Sequence, residues 1–181
     1  MFKIRNFFSR NLLKKYGLRE AQHDDLDFVM GEIIEGTKKG HYIETILEPQ
    51  QQTAMRRMLA NVIENRCLVR LSHLGQEEIF ARLFIYGSPK EDRVGYLLVS
   101  DKSQVCNDLE IYQAGVKETH LGQGHGRNLI DNFLYISPKD RNVFARCYPA
   151  SKEMFNILIK YGFEHSGTSR SGIRELRLKK T

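Results

Sequence analysis

The chain has 181 residues, 41% of them hydrophobic, and carries 28 Lys and Arg against 22 Asp and Glu for a net charge of +6. That length can bury one core and makes a single domain the expectation. The three cysteines, Cys67, Cys106 and Cys147, are odd in number and lack C-x-x-C spacing or a His companion, so they indicate neither a disulfide framework nor a zinc site and fit a reducing, cytoplasmic setting. No apolar run approaches the ~20 residues that span a bilayer, and nothing resembles a secretory leader, so no stable membrane insertion is expected.

The first element is MFKIRNFFSRNLLKK, residues 1–15, with Lys3, Arg5, Arg10, Lys14 and Lys15 interleaved with Phe and Leu and no acid. It reads as a basic amphipathic helix that lays its apolar face on the protein or, alternatively, rests on a membrane surface or nucleic acid. Residues 16–181 read as the domain proper. YGLREA is a short strand. AQHDDLDFVMGEIIEGT is a helix with an acidic first turn and Leu26, Val29, Met30 and Ile33 or Ile34 on one face. After the loop KKGHYIET, the stretch EPQQQTAMRRMLANVIENR places Pro49 at a first helical position.

From Cys67 the period changes. CLVRLSHL, EEIFARLFIYG, DRVGYLLVS and NDLEIYQAGVK are β-branched and aromatic runs divided by turn residues, and they read as an antiparallel meander. GRNLIDNFLYI is then a helix, NVFARCYP a strand, SKEMFNILIKYG a helix, and FEHSG with IRELRLKK a closing hairpin. The order β, αα, ββββ, α, β, α, ββ describes an α+β fold: a central, mostly antiparallel mixed sheet of about seven strands flanked by four helices.

Between the fourth strand of the meander and the next helix stands HLGQGHGRNLI. A glycine-rich turn feeding a helix N-terminus gathers unpaired N–H groups and about half a positive charge, which suits an anion. The P-loop pattern G-x-x-x-x-G-K-S/T fails because Arg127 and Asn128 follow Gly126. The dinucleotide fingerprint G-x-G-x-x-G fails because Gly122, Gly124 and Gly126 are spaced G-x-G-x-G and follow antiparallel strands. A turn that merely reverses the chain is the remaining alternative.

VKETHLGQGHGRNLI resembles the acetyl-CoA loop of the GNAT superfamily of N-acetyltransferases, whose motif runs Q/R-x-x-G-x-G/A after a strand ending in Val. Leu121, Gly122, Gln123, Gly124, His125 and Gly126 match the motif, Val116 matches the strand end, and Gly162 and Phe163 match the Gly-Phe that follows the family's last helix. The order of elements over residues 16–179 agrees. The resemblance implies acetyl-CoA as cofactor and transfer of its acetyl group to a primary amine. It implies backbone contacts to the pyrophosphate from residues 121–126, with Arg127 or Lys152 meeting a phosphate. Two positions depart from the pattern: Leu121 replaces the family's Arg or Gln, and Leu158 replaces its Tyr, the usual acid for the leaving thiolate.

An unperturbed lysine-type amine, with pKa ~10.4, is protonated at neutral pH and must lose a proton before it attacks. The resemblance places Glu110 at the base carboxylate of the histone-acetylating branch and the Val116 N–H at the oxyanion. Tyr148 is the candidate acid, at the end of the strand NVFARCYP, and Tyr161 lies nearby in sequence. Cys147 is expected to be structural. His120 and His125 are read as loop residues, with no metal site. Tyr42 and Glu44, in the loop between the first two helices, are candidates to meet the acceptor amine, on a small molecule or a protein. The basic balance of the chain favours a neutral, acidic or nucleic-acid-borne amine over a polycation. A non-catalytic acetyl-CoA-binding protein and a nucleic-acid or membrane-surface module remain the alternatives, and a homodimer is the commonest soluble assembly.

Overall fold

The computed structural model describes residues 15, 17–72, 75–102 and 108–179. The basic arm lies outside these except for Lys15, as does Cys106. The elements run β1 (Leu18–Glu20), α1 (Leu26–Lys38), α2 (Pro49–Asn65), β2 (Cys67–Ser72), β3 (Gly75–Ser88), β4 (Glu91–Asp101), β5 (Leu109–Val116), α3 (His125–Ile136), β6 (Val143–Cys147), α4 (Lys152–Lys160), β7 (Glu164–Thr168) and β8 (Arg174–Leu178). Short 3-10 turns occupy His23–Asp25, Glu44–Leu47 and Glu118–His120.

The strands form one eight-stranded sheet in the order β1-β3-β4-β5-β6-β8-β7, with β2 paired to β3. Every pairing among the described residues is antiparallel except β5 with β6. A parallel pair cannot be closed by a hairpin, and α3 supplies the crossover between these two strands.

Helices cover both faces, so the central strands β3 and β4 are apolar on consecutive residues, unlike a strand with one wet face. On one face α1 and α2 pack Val29, Ile33, Leu59 and Val62 against Ile85, Tyr96 and Leu98. On the other, α3 and α4 pack Leu129, Ile130, Phe133 and Leu158 against Phe84, Leu97 and Val99. Each such fully buried side chain contributes about 1.5–3 kcal/mol relative to exposure. No helix among the described residues is long and apolar enough to cross a membrane.

One charged group is built into this frame. Asp25, fully buried just ahead of α1, accepts hydrogen bonds from Arg19 (2.6 and 2.7 Å), Arg93 Nε (2.7 Å) and the Gln22 N–H (2.8 Å). Burial alone would push this carboxyl upward, but those donors hold it at about 2. The contacts tie β1 and β4 to the start of α1.

Candidate active site

The sheet opens at the one parallel pair among the described residues. β5 and β6 are paired at Leu109 with Val143, Glu110 with Phe144 and Ile111 with Ala145, and no pair follows although β5 runs on to Val116. On its other side β5 stays bound to β4 as far as Gly95 with Val116, after a register shift that sets Leu98 opposite Gln113 and Val99 opposite Ile111. Tyr112 is therefore an extra residue, a β-bulge, and bulges bend the strand that carries them. Beyond it the β5 arm leaves β6, and its free edge can accept an extended ligand as a further strand would be accepted.

The glycine turn follows this arm. Gly122 and Gly124 have φ of +74° and +83°, a region that disfavours any residue with a Cβ. A methyl group built on either would meet nothing within 4 Å, so the space above the turn is open. Gly126 serves a different purpose: its face of α3 lies against α4, where an added Cβ would sit 3.6 Å from Ile157 Cδ1. The first helical bond of α3 runs from Asn128 N–H to the Gly124 carbonyl at 3.0 Å, so the N–H groups of the preceding turn have no helical acceptor. An open edge strand and an unsatisfied helix N-terminus thus adjoin at the end of β5.

Neither sequence families nor curated protein sequences match the chain. Solved structures do. A protein named as a phosphinothricin N-acetyltransferase superposes with a TM-score of 0.66 at 15% identity, over 91% of this chain and 98% of that one. A spermidine N-acetyltransferase from Vibrio cholerae, solved with CoA and spermine, gives 0.65 at 13% identity over 90% and 94%. A histone acetyltransferase and related acetyltransferase from Corynebacterium glutamicum gives 0.57 at 13% identity over 88% and 92%. The fold is that of the GNAT N-acetyltransferases.

Within this GNAT fold the expected cofactor residues lie together. Val116 ends the β5 arm, Leu121, Gly122, Gln123 and Gly124 form the turn, and His125, Gly126 and Arg127 open α3. Leu121 is 55% exposed, and Arg127 and Lys152 are exposed at the starts of α3 and α4. His125 belongs to the helix, where a loop position was expected. Its ring stands edge-on to His120 and to Tyr86, whose hydroxyl is 3.4 Å from Nδ1. His120 in turn reaches Glu91 at 3.0 Å.

The expected catalytic and substrate residues fare differently. Glu110 is not a free base. Its carboxylate is 2% exposed, and Oε1 accepts from Arg146 Nε and Nη2 at 3.0 and 2.6 Å while Oε2 accepts from Arg70 at 3.3 Å. Both carboxylate oxygens are thus engaged by arginine side chains, an arrangement suited to a structural carboxylate. Tyr42 is likewise committed. Its hydroxyl donates to the Ala114 carbonyl at 2.9 Å and lies 2.7 Å from the Tyr96 hydroxyl, and burial pushes its pKa to about 12. Its hydroxyl hydrogen is thus given to the β5 arm, which it anchors. Glu44 is exposed at the start of a 3-10 turn.

Tyr148 directly follows β6, on the side of the opening facing the β5 arm, and is half-buried. Tyr161 caps the end of α4 and packs on the core. Leu158 is wholly inside the core. Cys147 is buried, and burial raises its thiol to about 11.

Sequence reasoning missed a strap. The segment after α1 crosses the opening and is tied to both lips: Lys39 to Glu118 at 2.7 Å and Tyr42 to Ala114 on the β5 side, His41 Nδ1 to Ser151 Oγ at 3.0 Å on the α4 side. Gly36 is its signal in the sequence. A Cβ there would lie 2.8 Å from the Tyr42 ring, so only glycine lets that ring settle on α1.

Proposed function

We propose that the chain is an acetyl-CoA-dependent N-acetyltransferase acting on a primary amine of a small molecule or protein. The observation that carries this reading is the free β5 edge beyond the Tyr112 bulge, opening beside the glycine turn at the N-terminus of α3.

The residues present suit the cofactor. The backbone N–H groups of residues 122–126, with Arg127 beside them, suit a pyrophosphate; the Leu121 N–H is already given to the Glu118 carbonyl at 3.1 Å, and the loss of the family's Arg or Gln at Leu121 leaves the other backbone donors in place. The edge from Gln113 to Val116 suits the amides of an extended pantetheine arm. Acetyl-CoA, when bound, supplies a thioester carbonyl to which a neutral amine adds as the thiol departs. The Val116 N–H is the donor offered to the carbonyl oxygen. Tyr148, on the opposite arm, offers a phenol proton to the departing thiolate in place of the tyrosine that Leu158 lacks.

Isothermal titration with acetyl-CoA and with CoA, on the wild-type chain and on Gly124→Glu, tests the reading. Micromolar binding that the substitution abolishes, followed by thiol release with a panel of primary amines, is expected. A folded chain that binds neither ligand refutes it. Leu158 at the usual acid position favours one alternative, a non-catalytic acetyl-CoA-binding protein; binding without thiol release from any amine would select it.

A further inference from the structure

His120 and His125 flank the glycine turn, and the fold closes them on one another. His120 ends the 3-10 turn before it and His125 opens α3 after it; their rings stand edge-on with centroids 5.4 Å apart. Both side chains are half-buried. His120 Nε2 lies 3.0 Å from Glu91 and its Nδ1 2.9 Å from the Thr119 hydroxyl, while His125 Nδ1 lies 3.4 Å from the hydroxyl of the buried Tyr86. Two imidazoles thus join the ends of the segment 121–124 that leads into the N-terminus of α3.

The carboxylates around the pair are already engaged. From β4, Glu91 shares its charge between His120 and Lys117, the latter at 2.7 Å. Glu118, in the 3-10 turn, is held by Lys39 at 2.7 Å, and Glu32 of α1 lies within the field of Lys117 and Glu118. Arg127 is exposed in the first turn of α3, and Tyr86 on β3 brings a hydroxyl and no charge. Among the described residues His125 meets a hydroxyl and a ring but no carboxylate. The free chain therefore offers this pair no spare negative charge.

A bound anion changes that balance. Covalent geometry keeps the ring nitrogens of a histidine within about 6 Å of its own backbone nitrogen, and the His125 N–H is one of the donors that the start of α3 leaves unsatisfied. A diphosphate accepted there stands beside the His125 ring and one ring contact from His120. Imidazole is the side chain whose charge changes between pH 5 and 8, and an adjacent negative charge favours its protonated form. The first imidazolium repels a second, so the pair takes up one proton.

We infer that the turn binds a diphosphate together with one proton, carried by the His120–His125 pair. Affinity is then highest at low pH and falls as pH rises through the imidazole range. That the diphosphate belongs to acetyl-CoA rests on the function proposed above; the proton coupling holds for any dianion at the turn.

Calorimetric titration with dephospho-CoA tests the coupling, since its diphosphate diester carries no group that titrates at neutral pH. Buffers of different ionisation enthalpy count the protons taken up. Wild type is compared with Tyr86→Phe and with two double variants, His120→Phe with His125→Phe and His120→Gln with His125→Gln; melting curves establish which of them fold. If binding strengthens the pair's hold on a proton about tenfold, wild type takes up about half a proton at pH 7, and its Kd is about fivefold higher at pH 8 than at pH 6. The double variants hold no proton at these positions and should show no uptake and a Kd independent of pH. Tyr86→Phe keeps both imidazoles and should keep the uptake. Wild-type binding without proton uptake overturns the inference, as does wild-type uptake in a double variant. The two proposals fail separately. Where neither dephospho-CoA nor acetyl-CoA binds, the transferase reading falls, and NMR titration of the two ring signals in sodium sulfate, against sodium chloride of equal ionic strength, decides the coupling: midpoints raised by sulfate keep it, and unmoved midpoints overturn it.

Discussion

The Tyr42–Tyr96 pair allows a prediction whose parts can be separated. Tyr42 has one hydroxyl hydrogen, and the Ala114 carbonyl takes it at 2.9 Å, so at 2.7 Å Tyr96 must be the donor to Tyr42. The chain runs from Tyr96 through Tyr42 to the β5 arm. Tyr42→Phe leaves both the Tyr96 hydroxyl and the Ala114 carbonyl without a partner. Tyr96 is fully buried, and two orphaned polar groups at about 1–3 kcal/mol each put the loss at roughly 2–5 kcal/mol. Tyr96→Phe removes only a donor to an oxygen that still has its own acceptor, so it should cost about 0.5–1.5 kcal/mol. In the double variant only the carbonyl is orphaned, and the loss should fall back to about 1–3 kcal/mol, less than the sum of the single losses. Urea unfolding of the four chains measures the cycle. Strict additivity, or a Tyr42→Phe loss below about 0.5 kcal/mol, would show that the hydroxyls are not coupled as described and that the strap is not anchored through Tyr42.

Further perturbations address other parts. Gly124→Ala meets open space but must hold φ at +83°, so differential scanning calorimetry should show a loss of about 1–2 kcal/mol. Gly124→Glu adds a negative charge where the pyrophosphate is proposed to lie and should abolish acetyl-CoA binding in a titration. Glu110→Gln breaks ion pairs with Arg146 and Arg70; it should lower Tm yet leave the pH profile of the acetylation rate unchanged, and loss of the low-pH limb would restore Glu110 as the base. Asp25, held at about 2 against an ordinary 3.8, contributes stability that is complete above 3.8 and is lost as pH falls from there towards 2. It amounts to about 2 kcal/mol at most, since Arg19 and Arg93 are 40% and 39% exposed. Asp25→Asn should flatten that acid limb in pH-dependent melting. Glu32 has the opposite sign: burial raises its pKa above the ordinary 4.5, so wild type loses stability as pH rises past 4.5. Glu32→Gln should therefore melt higher than wild type at neutral pH and equally below 4.5, a difference that circular dichroism melts would show.

What the sequence disclosed and what it hid follow from the range of the interactions. Periodicity is local, so the alternation of elements from Leu18 to Leu178 could be read before any contact was known, and the glycine turn announced itself because Gly122 and Gly124 need positive φ. The apolar runs of β3 and β4 carried less information, since strands buried on both faces lose the two-residue period. The function of an acid could not be read at all. Glu110 and Glu32 look alike in a sequence; they differ because β6 brings Arg146, and β2 brings Arg70, to one and nothing to the other. Partners separated by 36 and 40 residues decide which carboxylate is spent. The strap was hidden for the same reason, its ends being fixed by residues 79 and 110 positions away.

Charge shows the same separation of scales. A net +6 argues against a cationic acceptor only if the excess reaches the cleft, and the screening length of about 8 Å at physiological salt confines that reach. Around the strap, the lysines that would repel an ammonium group are each neutralised within 2.7 Å by a glutamate, and the carboxylate left over is Glu32. An arrangement that leaves the half-buried Glu32 carboxylate and the buried Gln113 amide oxygen without partners among the described residues costs stability in the free protein.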